Sequence, residues 1–223
     1  MSKQELARRY GLFIVSLFFA ALGVAFTKHG ELGVSPISSV ANVMTYRFPA
    51  LSLGTWLILW NCVLILGQIA ILRRDFQPIQ LLQVPLSVLF GWFTDFGLWM
   101  VSPLPAQAYP MRLLMVLIGV GILGFGISLA VIANVVMNSG EAFVKAAADG
   151  LGKNFGDVKV AFDVFCVALA LVLSLLFFRA VVGTREGTVI SALCTGLVVK
   201  FFTGRLYKPV TRFLTGGKSD FIL

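Results

Sequence analysis

The chain has 223 residues, of which 58% are hydrophobic and only 13% charged, with a mean hydropathy of +0.93. That composition excludes a soluble globular domain and leaves room for about six membrane-spanning helices of ~20 residues, with no separate soluble domain. A net charge of +8 would suit nucleic acid, but the lysines and arginines fall in loops and tails between apolar runs, where they read as topology signals and contacts to anionic lipid headgroups.

The first apolar run follows a basic stretch, Met1–Arg9, as in a signal peptide. It extends to Phe26, which is long for a signal core, and it has an internal counterpart in Leu113–Val136, so it is expected to remain as span one, Tyr10–Thr27. Ser35-Pro36 then opens a short helix reaching about Phe48, with Ser35 as N-cap and Pro36 as first helical residue. Ser38, Asn42 and Thr45 form a polar stripe along it. Span two, Gly54–Leu72, follows Leu51-Ser52-Leu53-Gly54 and stops at Arg73-Arg74-Asp75. Span three, Ile79–Val101, ends where Pro103 and Pro105 forbid continuation. Span four, Leu113–Met137, carries Gly119, Gly121, Gly124 and Gly126, a strip suited to close helix packing. Asn134 and Asn138, four apart, would share its last face. A second short helix runs from Ser139 to about Gly150, with Glu141, Lys145 and Asp149 on one face. Spans five and six are Val160–Phe178 and Thr188–Phe202. Neither short helix can cross a bilayer; each lies at the interface or dips back to line a cavity.

The order repeats: span, break, short helix, span, span. Gly54 and Asn61 in the first half match Gly156 and Asp163 in the second, and Asp95 in span three falls opposite Lys200 in span six. The fold class expected is all-α and membrane-embedded, six spans in two three-helix repeats. Residues 1–102 form the first repeat, 103–112 an external linker, 113–204 the second repeat and 205–223 a basic tail. With the N-terminus in the cytoplasm, only Lys28, Arg47, Arg112, Arg179 and Arg185 of the 18 basic residues fall outside, so both termini are expected inside. Three spans per repeat then make the second copy inverted, with substrate at the repeat interface.

Gly33-Val34-Ser35-Pro36, Leu51-Ser52-Leu53-Gly54 and Asn61 together resemble the YczE/YitT-type bacterial integral membrane proteins. The resemblance covers nearly the whole chain in length and segment order. The second half departs from it at Asn138-Ser139-Gly140 and Phe155-Gly156-Asp157. It implies a multi-pass protein of a bacterial cytoplasmic membrane and supplies no substrate.

Function must lie in the polar residues of apolar segments, because each costs free energy unless paired or hydrated. Ser35, Ser38, Asn42, Asn61, Asn134, Asn138, Ser139 and Glu141 are the candidate substrate-binding residues. Asp163 is the candidate cation- or proton-coupling carboxylate, sharing a central site with Asn61, while Asp95 and Lys200 are either a salt bridge or part of the pathway. His29 reads as a solvated loop residue, the four tryptophans as mainly interfacial, and Cys62, Cys166 and Cys194 as buried small hydrophobes. With no nucleophile–base pair, metal-ligand cluster or phosphate cradle, an enzyme is not expected, and neither cofactor nor metal is called for. The expected function is a small transporter or permease for an unidentified solute, an anionic or carbonyl-bearing one being favoured because two helix N-termini would face it. The alternatives are a binding or accessory subunit of a larger transport or biosynthetic complex, and a scaffold that moves nothing. Partners are membrane lipids, the solute and, as a further class, copies of the chain itself; nucleic acid is not among them.

Overall fold

The computed structural model describes residues 2–216, and the last basic residue of the expected tail, Lys218, lies outside them. Eight α-helices are described: α1 (Lys3–His29), α2 (Pro36–Arg47), α3 (Leu53–Leu72), α4 (Gln83–Val101), α5 (Tyr109–Ala133), α6 (Ser139–Leu151), α7 (Phe155–Phe178) and α8 (Glu186–Leu214). Six of them are long and apolar enough to cross a membrane, all but α2 and α6.

Packing starts from small residues. Two apolar helices in lipid gain little from hiding from the solvent, so close backbone approach and van der Waals contact must hold them. α1 and α5 cross in this way at the centre. Side chains at Gly23 and Gly126 would collide with the backbone of the facing helix, and one at Gly119 would meet the Gly23 carbonyl oxygen at 2.8 Å. Gly124 accepts Val198 of α8, while Gly121 faces open space, so three of the four glycines in the strip are packing positions. α4 lies against α1 and α8 lies against α5.

The short helices sit between α3 and α7 and touch both. The C-terminal end of α2 lies by the start of α3 and the end of α7, where Phe48 meets Trp56 and Phe177. The C-terminal end of α6 lies by the opposite ends, with Gly150 on Ile71 and the connection to α7 directly after it. The two helices therefore enter from opposite faces and meet N-terminus to N-terminus, where Ile37 rests on Gly140. Chain termini share one face: Arg8 donates to the Phe213 carbonyl at 3.1 Å and Arg9 to the Ala133 carbonyl at 3.0 Å. We call this the terminal face and its opposite the loop face.

Two expectations change. Span four ends at Ala133 because Asn134 takes the left-handed conformation (φ 47°, ψ 52°) that closes a helix. Asn134 and Asn138 therefore do not share a helical face; Asn138 instead caps α6, accepting from the Ser139 N–H at 3.0 Å. The sixth span continues to Leu214, so Arg205, Lys208 and Arg212 ride on helix α8 rather than in a separate tail, and Pro209 is carried inside it.

Candidate functional site

A cavity of about 610 Å³ opens on the terminal face between α6 and the connection from α3 to α4. Its wall carries Asp75, Gln77, Gln80, Lys145 and Asp149. Its floor is Gln83, the first residue of α4. Gln83 and Gln68 exchange two amide hydrogen bonds of 3.0 and 3.1 Å, and Gln68 also donates to the Ser139 carbonyl at 3.2 Å. The Ser87 and Ser139 hydroxyls lie 3.1 Å apart. All four side chains are buried. Such a layer survives in an apolar interior because its members satisfy each other.

Beyond Gln83 a small void reaches Ser87, Asn138 and Ser139. Next comes the Ile37–Gly140 contact, and past it the polar residues resume on α2. Ser35 donates to Ser38 at 3.0 Å, and Ser39 bonds the Pro36 carbonyl and, across the interface, the Cys166 carbonyl at 3.3 Å. Asn42 follows one turn on, buried and bonded to the Gly183 carbonyl at 2.6 Å. The Lys28 ammonium donates to Asn42 Oδ1 at 2.6 Å and lies 3.9 Å from the Tyr46 ring centre. A polar track thus runs along α6 and α2 from face to face, interrupted by one isoleucine. Both helix N-termini point at the interruption, so positive partial charge converges there.

The sequence-derived candidates divide. Ser38, Asn42, Asn138 and Ser139 lie on this track. Ser35 is at the N-cap position of α2, yet its hydroxyl bonds the Ser38 hydroxyl and makes no capping bond, the Ser38 N–H going to the Ser35 carbonyl at 3.0 Å instead. Asn61 is buried two turns from Gln68 on one stripe of α3. Asp163 is not joined to it: Lys159, four residues earlier on α7, places its ammonium on both Asp163 oxygens. Glu141 faces this pair, and burial pushes its carboxyl pKa up, Lys159 opposing and Asp163 reinforcing the shift. Among the described residues Asp95 and Lys200 form no ion pair with each other. Asp95 accepts the Ser52 hydroxyl at 2.6 Å and the Gly54 N–H at 2.8 Å, capping α3, whereas Lys200 is exposed on α8. Asn134 is exposed at the end of α5. Sequence reasoning missed Gln68, Gln83 and Ser87, whose signal was two amides inside apolar runs, and missed Lys159, whose spacing from Asp163 is that of a helical ion pair.

Among the described residues no group of three or more histidine, cysteine or acidic side chains could hold a metal ion. Six apolar spanning helices around two short ones define a multi-pass helical membrane protein. Residues 7–204 match the model of a family of unknown function, DUF6198, and the chain belongs to that family. No curated protein and no solved structure matches it.

Proposed function

We propose that the chain is a small inverted-repeat transporter or permease, not an enzyme, that carries a small polar solute along α6 and α2. The observation that carries this reading is the pair of short helices that enter from opposite faces and meet at Ile37 and Gly140. Exchanging α1–α4 with α5–α8 reproduces most of the packing: α1 on α4 becomes α5 on α8, α2 on α7 becomes α6 on α3, and α1 on α5 maps onto itself. Opposed half-helices at a repeat interface are the arrangement in which transporters bind solute. The likeness to YczE/YitT-type proteins in Gly33–Pro36, Leu51–Gly54 and Asn61 agrees with this architecture.

Sidedness follows from charge. Lys28, Arg47, Arg112, Arg179 and Arg185 lie toward the loop face, and the other basic residues among the described ones lie toward the terminal face or the flank of α8, so the terminal face is cytoplasmic by the positive-inside rule. The open cavity then faces the cytoplasm. The converging N-termini favour a carboxylate or carbonyl-bearing solute at the Ile37–Gly140 contact, while at the cavity wall Lys145 is paired with Asp149 beside Asp75.

The test is uptake into proteoliposomes from a panel of small carboxylates, phosphates and amides, by wild type and by Ile37→Trp. Uptake by wild type that Ile37→Trp abolishes supports the reading; no uptake, or equal uptake by both, overturns it. The second reading, a binding or accessory subunit, is favoured by the bare flank of α8, where Gly196 and Gly204 face open space. It predicts a partner that co-purifies in mild detergent.

A further inference from the structure

The permease reading, on which this inference rests, requires a site on the loop face related to the terminal-face cavity. The internal register locates it. Gly91 and Gly196 match along α4 and α8, which pairs Gln83 with Thr188. Pro36 and Ser139 open the two short helices, which pairs Lys145 with Asn42. Among the described residues the region thus related to the cavity shows no comparable opening. The Gly183 segment fills it, held by Asn42 and packed on Tyr46, while the Gly187 N–H donates to the Leu32 carbonyl at 2.7 Å.

This closed region carries two unexplained features. The hydroxyls of Thr184, Thr188 and Ser191 are buried at 5%, 1% and 0% exposure and have no hydrogen-bond partner among the described residues. A buried hydroxyl without a partner costs free energy, and three together are an unusual cost for a merely filled space. Second, among the described residues Lys28 has no carboxylate within 4.0 Å, the nearby Glu31 being paired with Arg112; its neighbours are the side-chain oxygen of Asn42, the Thr45 hydroxyl at 3.4 Å and the Tyr46 ring. A cation inside a bundle normally has an anion beside it. Thr188 lies against Gly33, and Thr184 follows Gly183, whose carbonyl Asn42 holds. The ammonium thus reaches segment 183–184 through Asn42, Thr184 lies in that segment, and Thr188 and Ser191 follow on the first turns of α8.

We propose that the loop face holds a second, outer binding site for a small oxyanion, built from Lys28, Asn42 and the hydroxyls of Thr184, Thr188 and Ser191, and shut in this structure by the Gly183 segment. Movement of that segment releases the Asn42 amide as a further donor and leaves the hydroxyls free to donate to the same ligand. Carboxylate and phosphate are the two sources of such an oxyanion. The Lys28 ammonium in the donor set disfavours a cation.

The experiment uses the full chain in proteoliposomes, with Cys62, Cys166 and Cys194 replaced by alanine and Thr188→Cys as reporter. A membrane-impermeant thiol reagent is added, with acetate in one arm, inorganic phosphate in a second and chloride as the ionic-strength control. The expected result is slow labelling that one oxyanion suppresses and chloride does not, with Lys28→Met raising the concentration needed by about tenfold or more, the worth of one charge-assisted hydrogen bond. Lys28→Arg should retain most of the protection. If Lys28→Met does not fold, Asn42→Leu, which removes the amide that orients the ammonium, replaces it. Absence of labelling, labelling that neither oxyanion slows, or protection indifferent to Lys28 and Asn42 each overturns the site. The two proposals fail separately. Lys28-dependent protection without uptake leaves the site standing and removes transport, while uptake whose concentration dependence Lys28→Met does not change removes the site and leaves transport.

Discussion

The hairpin of α3 and α4 and the hairpin of α7 and α8 occupy matching places in the chain, yet only the first is closed. In α3 and α4, side chains at Gly54 or Gly91 would each meet the other's carbonyl oxygen, so the two backbones are in contact. Asp95 ties the crossing at the loop face and the Gln68–Gln83 amide pair ties it at the terminal face. In the second hairpin Gly196 faces open space, Lys200 stands where Asp95 would, and Ala170 and Thr188 stand where the glutamines would. α7 and α8 accordingly have no comparable contact, and α8 is the spanning helix least buried by the rest of the protein. The lesson is that glycines at corresponding places license a close crossing without enforcing it; polar ties at the two ends decide which hairpin closes.

Substitutions at the matched positions should break this contrast, the largest effect first. Gly54→Val should cost about 3 kcal/mol or more by forcing α3 off α4, whereas Gly196→Val should change stability by less than about 0.5 kcal/mol. Thermal unfolding in detergent, followed by circular dichroism, reads both; equal losses would mean that α7 and α8 also pack closely. Gln68→Leu alone leaves the Gln83 amide unpaired and should cost about 1–3 kcal/mol, but Gln68→Leu with Gln83→Leu should recover most of it. A double-mutant cycle by the same method checks this, and additive losses would deny the pair its role as a tie. Asp95→Ala should cost about 1–2 kcal/mol through loss of the α3 cap, against less than about 0.5 kcal/mol for Lys200→Ala. The smallest effect is Gly156→Ala, which has room for its methyl and should stabilise α7 by up to about 1 kcal/mol; a fall in midpoint would show an unseen neighbour.

Much of the fold was legible in the sequence because it depends on short-range pattern. Six apolar runs and the Ser35-Pro36 and Ser139-Gly140 starts located eight helices, and small residues on span four announced the α1–α5 crossing. Partnership was less legible. Spacing fixes which face a residue occupies, not which helix that face meets, so Asp95 and Lys200 looked like partners while each had a different environment. Gln68 and Gln83, 15 positions apart across a turn, follow no helical period and surfaced only when α3 and α4 were seen side by side. Asn134 misled for a local reason: an apolar run continues through it, and only its left-handed backbone ends the helix.

The arginines at the start of α1 bear on how the protein is made. Arg9 bonds a carbonyl 124 residues later and Arg8 one 205 residues later. At a synthesis rate of about 5–20 residues per second, the first helix waits about 10–40 s for the carbonyl of Phe213 to emerge. Its small-residue face must also wait for α5. α1 therefore emerges well before the helix it packs on, and a truncation before α5 should leave it bound to whatever holds nascent membrane helices apart from one another.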